Sequence, residues 1–191
     1  MKQQLSDFFF RGLLASHSVR DMRATGLLRY PQTGDIDQTD VDLLAPVSEA
    51  IRSSSLHMQR CYRLLFVLEN VVREFVSEVF EDKDGPNWFD TRASMPIKKK
   101  VTDRKAAEAK NNWHTGRNPQ SIGYIDFGDL ALLIQSHYDL FKDLLPNQTW
   151  AVSRLSDAER SRNVIAHTNV LSDDEVTRLE MYVRDWVRQV R

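Results

Sequence analysis

Between Pro46 and Phe80 the chain runs without a glycine or a further proline, and Leu64, Leu65, Leu68, Val71, Val72, Phe75, Val76 and Val79 recur at helical spacing. That pattern draws one apolar stripe along an α-helix and fits no strand, whose side chains alternate from face to face. At about 1.5 Å per residue, a helix of this length crosses a whole small domain. Everything else in the chain must therefore pack along it. The stretch "EDKDGPNWFD" ends it, with Gly85 and Pro86 as breakers.

The remaining segments read in the same way. A mostly polar, surface-lying helix is expected from about Pro96 to Asn112, followed by a loop containing "TGRNPQSIG". Asp126 is placed to cap a helix from about Gly128 to Leu145, with Leu130, Leu133, Ile134, Tyr138 and Phe141 inward. Ser156 with Glu159, and Ser172 with Glu175, are two S-x-x-E capping boxes, each predicting a helix start. In the last helix Val176, Leu179, Val183, Trp186, Val187 and Val190 mark one apolar face. No segment reads as a strand and no internal repeat is present. The expected fold is all-α, a bundle of about five helices over residues 41–191. Residues 1–40 form an N-terminal extension of unclear role, in which Leu5, Phe8, Phe9, Leu13 and Leu14 suggest a short helix and residues 25–40 a loop.

Several classes are excluded. The single cysteine, Cys61, permits no internal disulfide framework and reads as a small core residue. No apolar run is long enough to span a membrane, and the opening residues, interrupted by Asp7 and Arg11, make a poor signal peptide. A cytoplasmic location is the expectation. The net charge of −1 argues against a protein that coats nucleic acid, but the charge is unevenly distributed. Arg92 to Arg117 holds eight Lys or Arg against two acids, whereas Glu69 to Asp90 holds seven acids against two bases. Such polarity suits a local phosphate-binding groove or faces that pair with a partner.

The segment "LSDAERSRNVIAHTN" puts an arginine, an asparagine and a histidine around an apolar run on the penultimate helix. Arginine binds phosphate, and histidine moves protons near neutral pH. The bare spacing of an arginine and a histidine with four to six residues between them occurs four times in the chain, so context decides. Arg162 to His167 has a polar residue, Asn163, directly after the arginine and three apolar residues before the histidine, and it lies on the fourth of five helices, just before the turn into the last one. At about 100° per residue, Asn163 and His167 share a helix face, while Arg162 stands about 140° from His167 and reaches the same pocket only by bending.

"RNVIAH" on a penultimate helix resembles the Arg-polar-x3-His signature of HEPN domains, all-α domains common among RNA-cleaving toxin and antiviral defence proteins. "FVLENVVREF" and "YIDFGDLALLI" are similar to a branch of that family found in RNA-processing endonucleases, and the likeness runs from about residue 55 to the end. The resemblance implies a metal-independent endoribonuclease in which the ribose 2′-hydroxyl attacks the adjacent phosphate, leaving a 2′,3′-cyclic phosphate. His167 would act as general base or acid, Arg162 would hold the phosphate, and Asn163 would orient the histidine or donate to the phosphate. A homodimer with His167 near its two-fold axis would supply the second proton-transfer group. An inhibitor or antitoxin protein is a further implied partner. Some family toxins carry a tyrosine two residues after the histidine, as a site of modification; Asn169 stands there instead.

Other residues enter as candidates. Lys98, Lys99, Lys100, Arg104, Trp113 and His114 form a basic segment ending in aromatic rings, a composition suited to RNA. Asn70 is a candidate to face the site, while neighbouring Glu69 and Arg73 read as a solvent-side i, i+4 pair. His57 and His137 read as helix-surface or boundary residues. No histidine–carboxylate cluster has metal-ligand spacing, and no cofactor is expected. Two alternatives stand beside the nuclease: a non-catalytic HEPN module binding RNA or a partner protein, and a helical dimerisation unit working through the acidic segment.

Overall fold

The computed structural model describes residues 43–190, within which the compact unit begins at Ser48. The helix and loop expected in residues 1–40, and the boundary at 40–41, lie outside the described residues. The long helix α1 is Glu49–Asp84, and it buries Cys61, Leu65, Leu68, Val72, Phe75, Val76 and Phe80 along one stripe. Gly85 ends it at φ +77°, donating its N–H to the Glu81 carbonyl at 2.8 Å. An L side chain is strained in that left-handed position, so glycine is the residue for the turn.

The chain continues through α2 (Trp88–Arg92), α3 (Met95–Ala109), a 3₁₀ turn (Ser121–Tyr124), α4 (Phe127–Ser136), α5 (Tyr138–Phe141), α6 (Gln148–Ala166) and α7 (Asp173–Val190). No strand occurs among the described residues. The helices of ten residues or more, α1, α3, α4, α6 and α7, are the five the sequence predicts; α2 and α5 are single turns. The closest packing joins α4 to α6 and α1 to α7. Trp186 is fully buried between Phe75 and Trp150, and Phe80 stacks on Trp88 with ring centres 4.8 Å apart.

Two local expectations are corrected. The helix read over 128–145 breaks at His137, whose Nε2 lies 3.0 Å from the Arg92 carbonyl and whose ring meets Phe80 edge-on. This tertiary contact ends α4 where the sequence has neither glycine nor proline to announce it. Ser156 is no cap. It lies inside α6 and its Oγ donates to the Val152 carbonyl, while Asn147 caps the helix by accepting the Trp150 N–H at 2.9 Å. By contrast the Ser172–Glu175 box forms, with Glu175 Oε2 accepting the Ser172 N–H and Ser172 Oγ accepting the Glu175 N–H. Among the predicted inward residues of α7, Val187 lies at the surface and Tyr182 takes a place in the core.

Candidate active site

Arg162 sits in the last turns of α6, half-buried, against the N-terminus of α4. Asp126 is the N-cap there and forms a capping box with Asp129, whose Oδ2 accepts the Asp126 N–H at 3.1 Å. The Asp126 carboxylate also bridges two helices. Its Oδ1 accepts from Arg162 Nη2 at 2.6 Å, and its Oδ2 accepts from Arg104 Nη2 of α3 at 2.9 Å. Lys100, one turn earlier on α3, places its ammonium 2.7 Å from both Asp129 oxygens and 3.8 Å from Asp126. Burial alone would raise the Asp126 pKa, but the Arg104 hydrogen bond and the charges of Arg104, Arg162 and Lys100 outweigh it and hold the carboxyl below its ordinary range.

The second Arg162 terminus, Nη1, donates to Asn163 Oδ1 at 3.0 Å. Asn163 therefore braces the arginine, where the family resemblance implies the histidine or the phosphate as its partner. His167 is the residue at which α6 ends; its backbone N–H reaches the Asn163 carbonyl at 3.3 Å and its side chain is exposed. The next residue, Thr168, holds φ +56° and donates its hydroxyl to the His167 carbonyl at 2.7 Å.

A cleft of about 1020 Å³ lies between α1 and the 115–123 segment, with Arg162, Ile165 and Ala166 in its wall. Asn70 faces it, as does the Glu69–Arg73 pair; Asn163 and His167 do not line it. The pair is not solvent-side. Both side chains are largely buried, and Arg73 also donates to the Ile125 carbonyl at 2.9 Å. Burial pushes the Glu69 carboxyl above the ordinary carboxylate range, against the pull of Arg73 and Arg162. Asn70 Nδ2 is turned back onto the Phe66 carbonyl at 2.7 Å.

The basic segment divides in two. Lys100 and Arg104 are committed to the acids at the start of α4. Lys99 pairs with Asp103 within its own helix, and Lys98 donates to the Asp90 carbonyl. Trp113 is 80% exposed beside His114 and, with Arg104 and Arg117, lines a second hollow of about 780 Å³. Cys61 is fully buried, as its apolar context implied. His57 ties α1 to the α6–α7 connection, its Nε2 lying 2.8 Å from the Leu171 carbonyl. Asp126 is the site residue that sequence reasoning misses: its neighbours mark it only as a cap, and nothing local connects it to an arginine 36 positions away.

Among the described residues no three His, Cys, Asp or Glu side chains gather closely enough to hold a metal ion, and no helix is long and apolar enough to cross a membrane. Residues 63–191 match the family described as Swt1-like HEPN. No curated protein and no solved structure matches the chain.

Proposed function

The chain belongs to the Swt1-like HEPN family, and on that premise we propose that it is a metal-independent endoribonuclease. The observation that carries the reading is the setting of Arg162: a motif arginine braced by Asp126 and Asn163 in the wall of a cleft, five positions before an exposed histidine at the helix end. A guanidinium has five N–H donors, so two inward hydrogen bonds leave others for a phosphate. In the proposed reaction the 2′-oxygen attacks phosphorus and the bond to the 5′-oxygen breaks. One group takes the 2′-hydroxyl proton and another protonates the leaving oxygen; Arg162 stabilises the charge gathering on the phosphate oxygens. Each chain brings one motif histidine, so a homodimer in which two His167 residues meet would provide both. The family likeness points to a toxin or defence role, with an inhibitor protein as partner. Incubating the protein with total RNA in EDTA and analysing the ends tests this. Cyclic phosphate ends are expected, and activity that needs added magnesium refutes the mechanism.

A second reading, a non-catalytic module that binds a partner, draws on a different observation. Along α1, Ile51, Leu56, Tyr62 and Phe66 are all more than half exposed, the last two in the lining of the cleft, and exposed apolar side chains of this size mark binding surfaces. Specific binding of RNA or protein without RNA cleavage would favour it.

A further inference from the structure

We propose that Asp126 is a positioning residue: its carboxylate aims the Arg162 guanidinium at the RNA phosphate, an inference that rests on the RNA-cleaving reading above. A negative charge beside a phosphate-binding arginine is at first sight a defect, because it competes with the phosphate and repels it. The surrounding geometry gives it a purpose. Arg104 grips the carboxylate with both terminal nitrogens, Nη2 to Oδ2 at 2.9 Å and Nη1 to Oδ1 at 3.2 Å, and also donates to the Tyr124 carbonyl. The plane of the carboxylate is thereby fixed from the α3 side before Arg162 meets it. Arg162 then approaches Oδ1 from α6 with Nη2, while Asn163 holds Nη1. A long arginine side chain has several rotatable bonds, and pinning both of its terminal nitrogens removes most of that freedom ahead of binding.

Within the ion-paired cluster Lys100, Arg104 and Arg162 carry three positive charges against the two of Asp126 and Asp129. Glu159, packed against Gly128 at the start of α4, brings the wider count to zero, so the site depends on where the Arg162 guanidinium points and not on an excess of positive charge. The backbone role of Asp126 is separable from this orienting one. Asn caps helices as well as Asp does, so Asp126→Asn keeps the cap and the side-chain shape while removing the charge.

This separation gives a test whose sign discriminates. If Asp126 were merely a nearby negative charge, neutralising it would strengthen RNA binding. As a positioning residue its neutralisation must weaken binding. The probe is a fluorescent single-stranded RNA oligonucleotide carrying 2′-O-methyl groups, which cannot be cleaved, with affinity read by anisotropy. Arg162→Ala is expected to lose about tenfold or more, the worth of a charge-assisted hydrogen bond. Asp126→Asn is expected to lose roughly threefold to tenfold. Added to Arg162→Ala, it should change affinity by less than about twofold, because it acts through that arginine. Equal or tighter binding by Asp126→Asn, or additive losses in the double variant, overturns the proposal. Should Asp126→Asn not yield folded protein, Asp126→Glu keeps the charge and displaces the carboxylate by one methylene; its affinity must still fall. Wild type that binds the oligonucleotide but cleaves no natural RNA refutes the nuclease reading while leaving this test valid. Wild type that binds no RNA removes both.

Discussion

Replacing Lys98, Lys99 and Lys100 with glutamine one at a time should separate a structural lysine from two surface ones. Lys100 is 38% exposed and its ammonium stands 2.7 Å from both oxygens of Asp129, which is only 10% exposed. Asp129 has no other cation within ion-pair distance among the described residues. Removing one partner of a fully buried pair costs about 3–5 kcal/mol, most of it the price of stranding the other charge. Here the lysine end is open to water, which brings the expectation for Lys100→Gln down to about 1.5–3 kcal/mol. At roughly 2–4 °C per kcal/mol for a domain of this size, that is a fall of about 3–12 °C in melting temperature. Lys99 and Asp103 are 76% and 62% exposed, and an exposed i, i+4 pair contributes about 0.3–0.5 kcal/mol, so Lys99→Gln should melt within about 2 °C of wild type. Lys98→Gln, which loses only a surface hydrogen bond to the Asp90 carbonyl, should resemble it. Thermal melts followed by far-ultraviolet circular dichroism decide the matter. Equal melting temperatures for the Lys99 and Lys100 variants would refute this account of the α3–α4 contact. If the surface lysines also touch RNA phosphates, the double Lys98→Gln, Lys99→Gln protein should lose up to about two units of log–log salt slope with little loss of stability.

Two further outcomes are expected. Asp126, whose folded pKa is depressed, contributes stability that is complete above its ordinary value of about 3.9 and is lost as pH falls through the lower folded value. The gap in urea midpoint between wild type and Asp126→Asn should therefore be constant near neutrality and shrink below about pH 4; a gap that widens there would contradict the ion-pair assignment. Glu69, raised by burial, acts with the opposite sign, losing stability as pH rises through its folded value, so the comparison is best made against Asp126→Asn at each pH. The two serines read as caps should part company: Ser172→Ala loses about 1 kcal/mol in denaturant unfolding, whereas Ser156→Ala, deep in α6, changes little.

What the sequence disclosed, and what it hid, follows from the range of the forces involved. The periodicity of α1, the Asp126 cap and the Ser172 box are settled by neighbours within a turn or two, and all are legible in the residues themselves. Ser156 misled because its S-x-x-E pattern is the same inside a helix as at its start, and only the cap at Asn147 decides between them. The break at His137 depends on Arg92, 45 residues earlier, and no local residue records it. The candidate site shows the same division. Arg162, Asn163 and His167 were visible as a pattern, but the commitment of Lys100 and Arg104 to Asp129 and Asp126 arises only when α3 and α4 are brought together. The Glu69–Arg73 pair has helical spacing whichever way it faces, and only the packing turns it inward.

Thr168 marks where the rod that carries the motif stops. A β-branched residue at φ +56° is rare, and at this point the chain abandons the repeating ladder of α6. Arg162 lies inside the ladder and His167 is its last rung, still held through its backbone N–H to the Asn163 carbonyl. Exchanging Thr168 for glycine would remove the strain of that left-handed turn and leave both motif residues where they stand. Arginine and histidine are thus two fittings on one shaft, and the joint just past the histidine sets only where the shaft ends.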